Sequence, residues 1–386
     1  MPPTDQTRPL PYGRLSGYYF FYFAFVGVAS PYFGQYLKSL GFSAWELSVL
    51  LSQMQVMRVI APNLWAWLAD HGWGRRLSFI RLAGLGGMLG CVAFFFVQGF
   101  WAWLIAILVM GFFWSAALPL FEGVTLDHVK TSGGDYSRIR LWGSIGFIVT
   151  VQGAGVLLDR LPMSSIPWML LATSLGIFVF AMWVREPMGH AEAPPPASMR
   201  AVLSERRVRA LLLGAFAMAF AHGVLYMFYS IYLADFGYSQ TVIGALWSLG
   251  VFAEIGVFLR IGSWLARYSV RSVLLACFVA AIIRFILISQ CADSLFWLVF
   301  GQVLHAFTFG AFHSASIHAV NHWFPPACKG RGQAIYSSLS FGLGGLLGGL
   351  LAGAVWEPFG GVTAFALSAV VALLGGVVAW WGLPRQ

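Results

Sequence analysis

Apolar residues along this chain do not alternate with polar ones. They gather into twelve long runs, roughly 15–37, 46–69, 77–98, 101–124, 140–158, 166–184, 209–234, 241–262, 271–291, 295–318, 333–355 and 361–382. A helix rises 1.5 Å per residue, so about 20 residues cross the hydrocarbon of a bilayer. Runs of this length predict spanning helices, whereas a membrane β-barrel would show short segments with every second residue polar. A helix also satisfies its own backbone hydrogen bonds, as lipid requires. One long polar segment interrupts the pattern, Arg185–Arg209, with Pro194-Pro195-Pro196 at its centre, and it predicts a semi-rigid linker. The expected organisation is a six-helix bundle over 1–184, a linker over 185–208 and a second six-helix bundle over 209–386.

The two halves repeat each other. Gly41-Phe42-Ser43 matches Gly237-Tyr238-Ser239, Tyr36-Leu37 matches Tyr232-Leu233, Phe100-Trp101 matches Phe296-Trp297, and Gly146 matches Gly342, all at an offset of 196 residues. The polar stretch Asp70-His71-Gly72-Trp73-Gly74-Arg75-Arg76 matches Arg267-Tyr268-Ser269-Val270-Arg271 with one residue of slippage. The expected fold class is an all-α integral membrane protein, with twelve transmembrane helices in two pseudo-symmetric bundles.

Composition sharpens this picture. The 386 residues are 59% hydrophobic and 10% charged, whereas a soluble domain is about 25% charged. The net charge of +9 alone would admit a nucleic-acid partner. Its placement argues for membrane topology instead. With the N-terminus inside, only Lys38 and Arg160 fall in outer loops, Arg58 and Arg284 fall within spans, and the other 19 of the 23 Lys and Arg face the cytoplasm. Both termini are therefore expected to be cytoplasmic, in a bacterial-type inner membrane, with the bilayer and no nucleic acid as partner. Met1–Arg14 shows no signal-peptide cleavage pattern, and Leu15 onward reads as a first span that stays. The four cysteines have no paired spacing. No metal-ligand spacing, nucleotide loop or nucleophile motif occurs in a fitting context, so neither a cofactor, a metal nor an enzymatic activity is expected.

Three stretches carry a family resemblance. Leu68-Ala69-Asp70-His71-Gly72-Trp73-Gly74-Arg75-Arg76 resembles the signature between spans two and three of the major facilitator superfamily. Tyr136-Ser137-Arg138-Ile139-Arg140-Leu141-Trp142-Gly143 and the stretch from Gly237 to Glu254 resemble its phenylpropionate-permease branch, which is related to lactose permease. The resemblance extends over nearly the whole chain. It implies the major facilitator fold and secondary transport of a small molecule by alternating access, with protons as the coupling ion.

Charges inside spans are the first candidates for chemistry, since each costs about 2.5–3.5 kcal/mol at the bilayer centre. Arg58 lies 12 residues from both Glu46 and Asp70, and Glu254 lies 15 residues after Ser239 and 13 before Arg267, so both sit at mid-depth in repeat-related spans. A guanidinium grips a carboxylate with two prongs, and a desolvated Glu can exchange a proton. The expected roles are substrate clamp for Arg58 and proton carrier for Glu254, with a structural ion pair as the competing reading. Arg284 either binds substrate or extends toward the interface and Asp293. His305 and His313 are expected to line the cavity and share in proton coupling, and His222 to bind substrate, with hydrogen bonding between helices as the competing reading. The resemblance to lactose permease implies a cluster of Glu254, Arg284 and His305, with Thr308 where that permease has a second carboxylate. It also implies a Glu122–Arg140 binding pair, with Phe147 replacing a sugar-stacking Trp, which argues against a galactoside. A charge network of Glu122, Asp127, Arg138 and Arg140 competes with that pairing. Asp70, Arg75, Arg76 and Arg138 are expected to gate, and Tyr22 and Tyr229 to touch substrate. The expected function is proton-coupled uptake of a small organic anion, such as a 3-phenylpropionate-like aromatic carboxylate, by a monomer. A nucleoside or sugar carrier, an exporter and a non-transporting membrane sensor are the alternatives.

Overall fold

A computed structural model of the chain describes residues 9–70, 76–185 and 199–385, the side chains of residues 66, 69, 70 and 327 excepted. Every regular element among these residues is helical. Helix α1 runs over Tyr12–Val28 and continues through a π-helical turn, Ala29–Phe33, into Gly34–Ser39. Then follow α2 (Ala44–Asp70), α3 (Arg76–Ala93), α4 (Phe100–Ser132), α5 (Tyr136–Leu158), α6 (Ile166–Trp183), α7 (Arg206–Asp235), α8 (Gln240–Phe258) and α9 (Val270–Gln290). Helix α10 has three parts: Leu295–His305, the π-helical Ala306–Ala311 and Phe312–Trp323. Helix α11 starts as Lys329–Ser337, passes through the π-helical Ser338–Gly344 and continues from Gly345; Gly360, at φ +80°, breaks the path, and α12 occupies 361–382.

Nine helices among the described residues are long and apolar enough to cross a membrane. There α11 and α12 count as one. The first part of α1 is only 17 residues long, and α2 is diluted by Ser48, Ser52, Gln53, Gln55, Arg58 and Asn63. Helix ends overrun the apolar runs: α4 continues to Ser132 and α5 begins at Tyr136. Hydropathy marks where the chain leaves hydrocarbon, but the hydrogen-bond ladder continues into water. Lys130, Arg138 and Arg140 therefore stand on helices, not in a loop.

Packing divides the chain into two compact units. The first comprises Met1–Ala29, Met57–Ala154 and Leu161–Glu192. Its α1 and α5 cross at glycines: a Cβ on Gly27 would stand 2.8 Å from the Phe147 carbonyl oxygen, and one on Gly146 would collide with the carbonyl of Phe20. Phe147 is buried in this crossing.

The second unit comprises Ser30–Val56, Gly155–Arg160 and Ala193–Gln386. Its α7 and α11 cross in the same manner, with Gly223 against Gly348, and with a Cβ on Gly344 falling 2.7 Å from the Phe216 carbonyl oxygen. Phe216 keeps the 196-residue offset from Phe20, but Gly344 lies two residues beyond the sequence match at Gly342. A π-helical turn, Ser338–Gly344, runs through this part of α11.

Polar contacts tie the first-half segments of this unit to α7 and α8. Lys38 bonds Asp235 at 2.6 Å, and the side-chain amides of Gln35 and Gln240 pair reciprocally at 2.9 Å. Asp159 caps α8, accepting from the backbone N–H of Gln240 at 2.7 Å and of Thr241 at 3.1 Å. Burial pushes the Asp159 carboxyl up, but the Thr241 hydroxyl and the two amides outweigh it and hold the group below its ordinary value of 3.8. The packing units and the sequence repeat are two different partitions of the chain.

Candidate functional site

The second unit buries an arginine. Arg284 on α9 is 0% exposed. Its Nη1 donates to His222 Nε2 on α7 at 3.2 Å and to Thr308 Oγ1 on α10 at 3.1 Å, and its Nη2 donates to Gln302 Oε1 at 3.1 Å. This geometry rules out the reading in which Arg284 extends toward Asp293. His222 Nδ1 lies 2.8 Å from the Met218 carbonyl, which can only accept, so that nitrogen carries the proton. Nε2 of the neutral ring then accepts from the guanidinium. Thr308 in turn donates to the His305 carbonyl at 3.3 Å.

Every hydrogen-bond partner of Arg284 among the described residues is thus neutral. Its Nε, the Tyr229 hydroxyl and His305 Nδ1 are buried without a hydrogen-bond partner among those residues. Buried polar atoms are normally satisfied, so these are groups a ligand can engage. Thr308 is the residue that stands where the lactose-permease resemblance implied a carboxylate, and here it accepts from the guanidinium.

Around this centre lie the remaining candidates of the second half. Glu254, on α8, is half-buried with its Cγ against Gly310 of α10. His305 stacks on Phe309 at 5.6 Å between centroids, and Phe309 stacks on His313 at 6.2 Å. His313 Nδ1 also lies 3.2 Å from the Tyr336 hydroxyl. Tyr229 packs edge-on to Trp247, whose indole N–H donates to Ser230 at 2.9 Å.

The first unit holds its charges differently. Arg58 on α2 is exposed and lies over the Trp114 ring of α4, 5.7 Å from the centroid. Tyr22 of α1 stacks on the same indole at 4.7 Å, and the Trp114 N–H is buried without a partner among the described residues. Arg140 on α5 lies over the Phe23 ring at 4.0 Å. A Cβ on Gly143 would stand 2.7 Å from both Arg140 and Phe23, so that glycine leaves room for the stack. Glu122 accepts instead from the Tyr136 hydroxyl at 3.3 Å, and no ion pair among the described residues joins it to Arg140.

Of the gating candidates, Arg76 lies 3.5 Å from Asp127, whereas Arg138 makes only a local, exposed pair with Asp135 at 3.5 Å. The Asp70 side chain, Arg75 and most of the 185–208 linker lie outside the described residues. No group of three or more His, Cys, Asp or Glu among the described residues could hold a metal ion. The sequence reading passed over Gln302 and Trp114. Gln302 carried a usable signal, a lone amide in the apolar run Phe300–Leu304. Trp114 carried none among so many aromatics.

Membrane-length helices and a two-fold repeat mark an integral membrane protein. The chain matches the MFS_1 like family over residues 12–367 and belongs to it. It is 28% identical to the probable 3-phenylpropionic acid transporter of Escherichia coli (strain K12), over 92% of this chain and 93% of that one. It is 26% identical to the maltose permease of Geobacillus stearothermophilus, over 86% of each. Among solved structures, a mutant of the nucleoside transporter NupG superposes with a TM-score of 0.87 at 20% identity, covering 97% of this chain and 100% of that one. At that identity the likeness is one of fold. The chain is a multi-pass secondary transporter, and its family and structural neighbours are transporters, not enzymes.

Proposed function

We propose that this protein imports a small organic anion, with an aromatic carboxylate as the best-fitting class, together with protons. The observation that carries the reading is Arg284. A wholly buried guanidinium is costly unless its charge is matched, and its partners among the described residues are neutral. An anionic cargo supplies the missing charge. The free Nε, the Tyr229 hydroxyl and the ring nitrogen of His305 offer it further polar contacts. Arg58 over Trp114 gives the first unit a guanidinium beside an aromatic ring, which suits an anion that itself carries a ring. The printed name of the E. coli relative points to the same class.

In this proposal Glu254 carries the coupling proton, and the carrier is a monomer in the inner membrane with both termini inside. Two six-helix bundles, divided at the linker, alternate their access. The contacts of Gln35, Lys38 and Asp159 with α7 and α8 form its outer gate and open once per cycle. Asp70, Arg75 and Arg76 serve the inner gate.

Purified protein in proteoliposomes with an imposed proton gradient is expected to accumulate 3-phenylpropionate. Glu254→Gln is expected to abolish driven uptake and spare counterflow exchange. Driven uptake surviving that change would remove Glu254 from the mechanism. A nucleoside carrier is the second reading, favoured by the Tyr22–Trp114 stack, a surface that also suits a base. Accumulation of uridine in place of the acid would decide for it.

A further inference from the structure

We infer that Gly310, with the π-helical turn around it, is the positioning residue for Glu254. The inference rests on Glu254 being the proton carrier of the proposed function. Helices α8 and α10 interlock reciprocally. A Cβ on Gly310 would stand 2.9 Å from Glu254 Cγ, and a Cβ on Gly250 would stand 3.1 Å from His305 Cδ2. Each helix therefore offers a glycine to a titratable side chain of the other.

The spacings differ. On α8, Gly250 and Glu254 are four apart and share a face. On α10, His305 and Gly310 are five apart. In a regular α-helix, residues five apart point about 140° away from each other and could not both face α8. Within Ala306–Ala311 the backbone instead closes its bonds from i to i+5, so a turn takes more residues than in an α-helix and Gly310 comes back toward the face of His305. The π turn is what matches the two helices, and the glycine within it is what admits the carboxylate side chain. The nearest atom that Gly310→Ala would meet is Glu254 Cγ, with the Glu254 Cα farther off at 3.8 Å, so the substitution displaces the Glu254 side chain first.

The test compares Gly310→Ala with Gly256→Ala, a control on α8 that has nothing within 4 Å of its new methyl. In purified protein, the rate at which a hydrophobic carbodiimide modifies Glu254 is expected to change roughly threefold or more in Gly310→Ala and not in the control. In proteoliposomes, Gly310→Ala is expected to shift the pH midpoint of driven uptake by about one unit while sparing counterflow. Combined with Glu254→Gln, it is expected to add no further loss, because both changes act through one carboxylate. An unchanged labelling rate overturns the inference, as does a loss of both transport modes that adds to the loss from Glu254→Gln. If Glu254→Gln alone keeps driven uptake, the proton-carrier reading fails separately. The labelling rate still decides whether Gly310 seats the side chain.

Discussion

Arg58 and Arg284 bring the same guanidinium into spans of opposite halves, each near an aromatic ring, but they differ in burial and in hydrogen bonding. Arg58 is exposed and rests on an indole face. Arg284 is sealed from solvent and held by three neutral side chains from two other helices. A cation–π contact at an exposed site is worth about 0.5–1 kcal/mol, so the Arg58 head group can change its orientation cheaply. Arg284 cannot: three of its five N–H groups are taken, and only one on Nη2 and the one on Nε remain. Under the proposed function, one arginine meets the anion and the other fixes it in a geometry set beforehand.

The largest effect that could break this contrast is at Arg284. Arg284→Met is expected to lower uptake by about 100-fold or more, while the thermal midpoint of the detergent-purified protein holds or rises. An apolar side chain removes the cost of a buried charge. A thermal midpoint falling in step with uptake would make Arg284 a structural brace, and the two arginines would then differ in kind, not in mode of binding. Next comes Arg58→Lys, which keeps the charge and loses the fork. It is expected to weaken cargo affinity about tenfold. Raising ionic strength should weaken the affinity of wild type and variant alike, since both keep an exposed charge that salt screens. Unchanged affinity at every salt concentration would move the clamp entirely to Arg284.

Asp159 extends the comparison to a surface carboxylate held by fixed donors. Asp159→Ala is expected to cost about 1 kcal/mol of stability at neutral pH, as lost helix caps do. The sign of its pH dependence follows from the depressed carboxyl: the cap contributes fully above the ordinary value of 3.8 and is lost as pH falls through the lowered one. The difference between wild type and variant in thermal unfolding should therefore vanish only in strong acid. A difference that vanished above the ordinary carboxylate value would contradict this. The smallest effect is at Trp114. Trp114→Leu removes the platform under Arg58 and is expected to weaken cargo binding by only about two- to five-fold in equilibrium titrations. A larger loss would mean that the indole itself holds the cargo.

The twelve helices were legible because hydrocarbon imposes a length, and length survives in any apolar run. Arg58, Glu254 and Arg284 were legible for a related reason: a charge in such a run is conspicuous. Thr308 and Gln302 were not readable as ligands of Arg284, because an uncharged polar residue acquires that meaning only from the helix it happens to face. The roles of Gly250 and Gly310 were hidden in the same way. Arg284 had two readings in the sequence, and burial excludes the one that extends it toward the interface. The expected Glu122–Arg140 pair has spacing that suits two neighbouring helices. In the structure the Arg140 guanidinium lies over the Phe23 ring, beside Gly143. The π-helical turns left no trace in hydropathy at all, since one additional residue in an apolar run is still apolar.

Those turns have a further consequence. A π turn holds one residue more than the α-helix it interrupts. The surplus cannot be annealed in place; like a dislocation in a crystal, it can only glide along the helix or leave at an end. Wherever it glides, the stretch it crosses turns by about 100° and advances by 1.5 Å. Helices α1, α10 and α11 each carry one such defect among the described residues, so each presents its two ends in a register that an unbroken α-helix would not give.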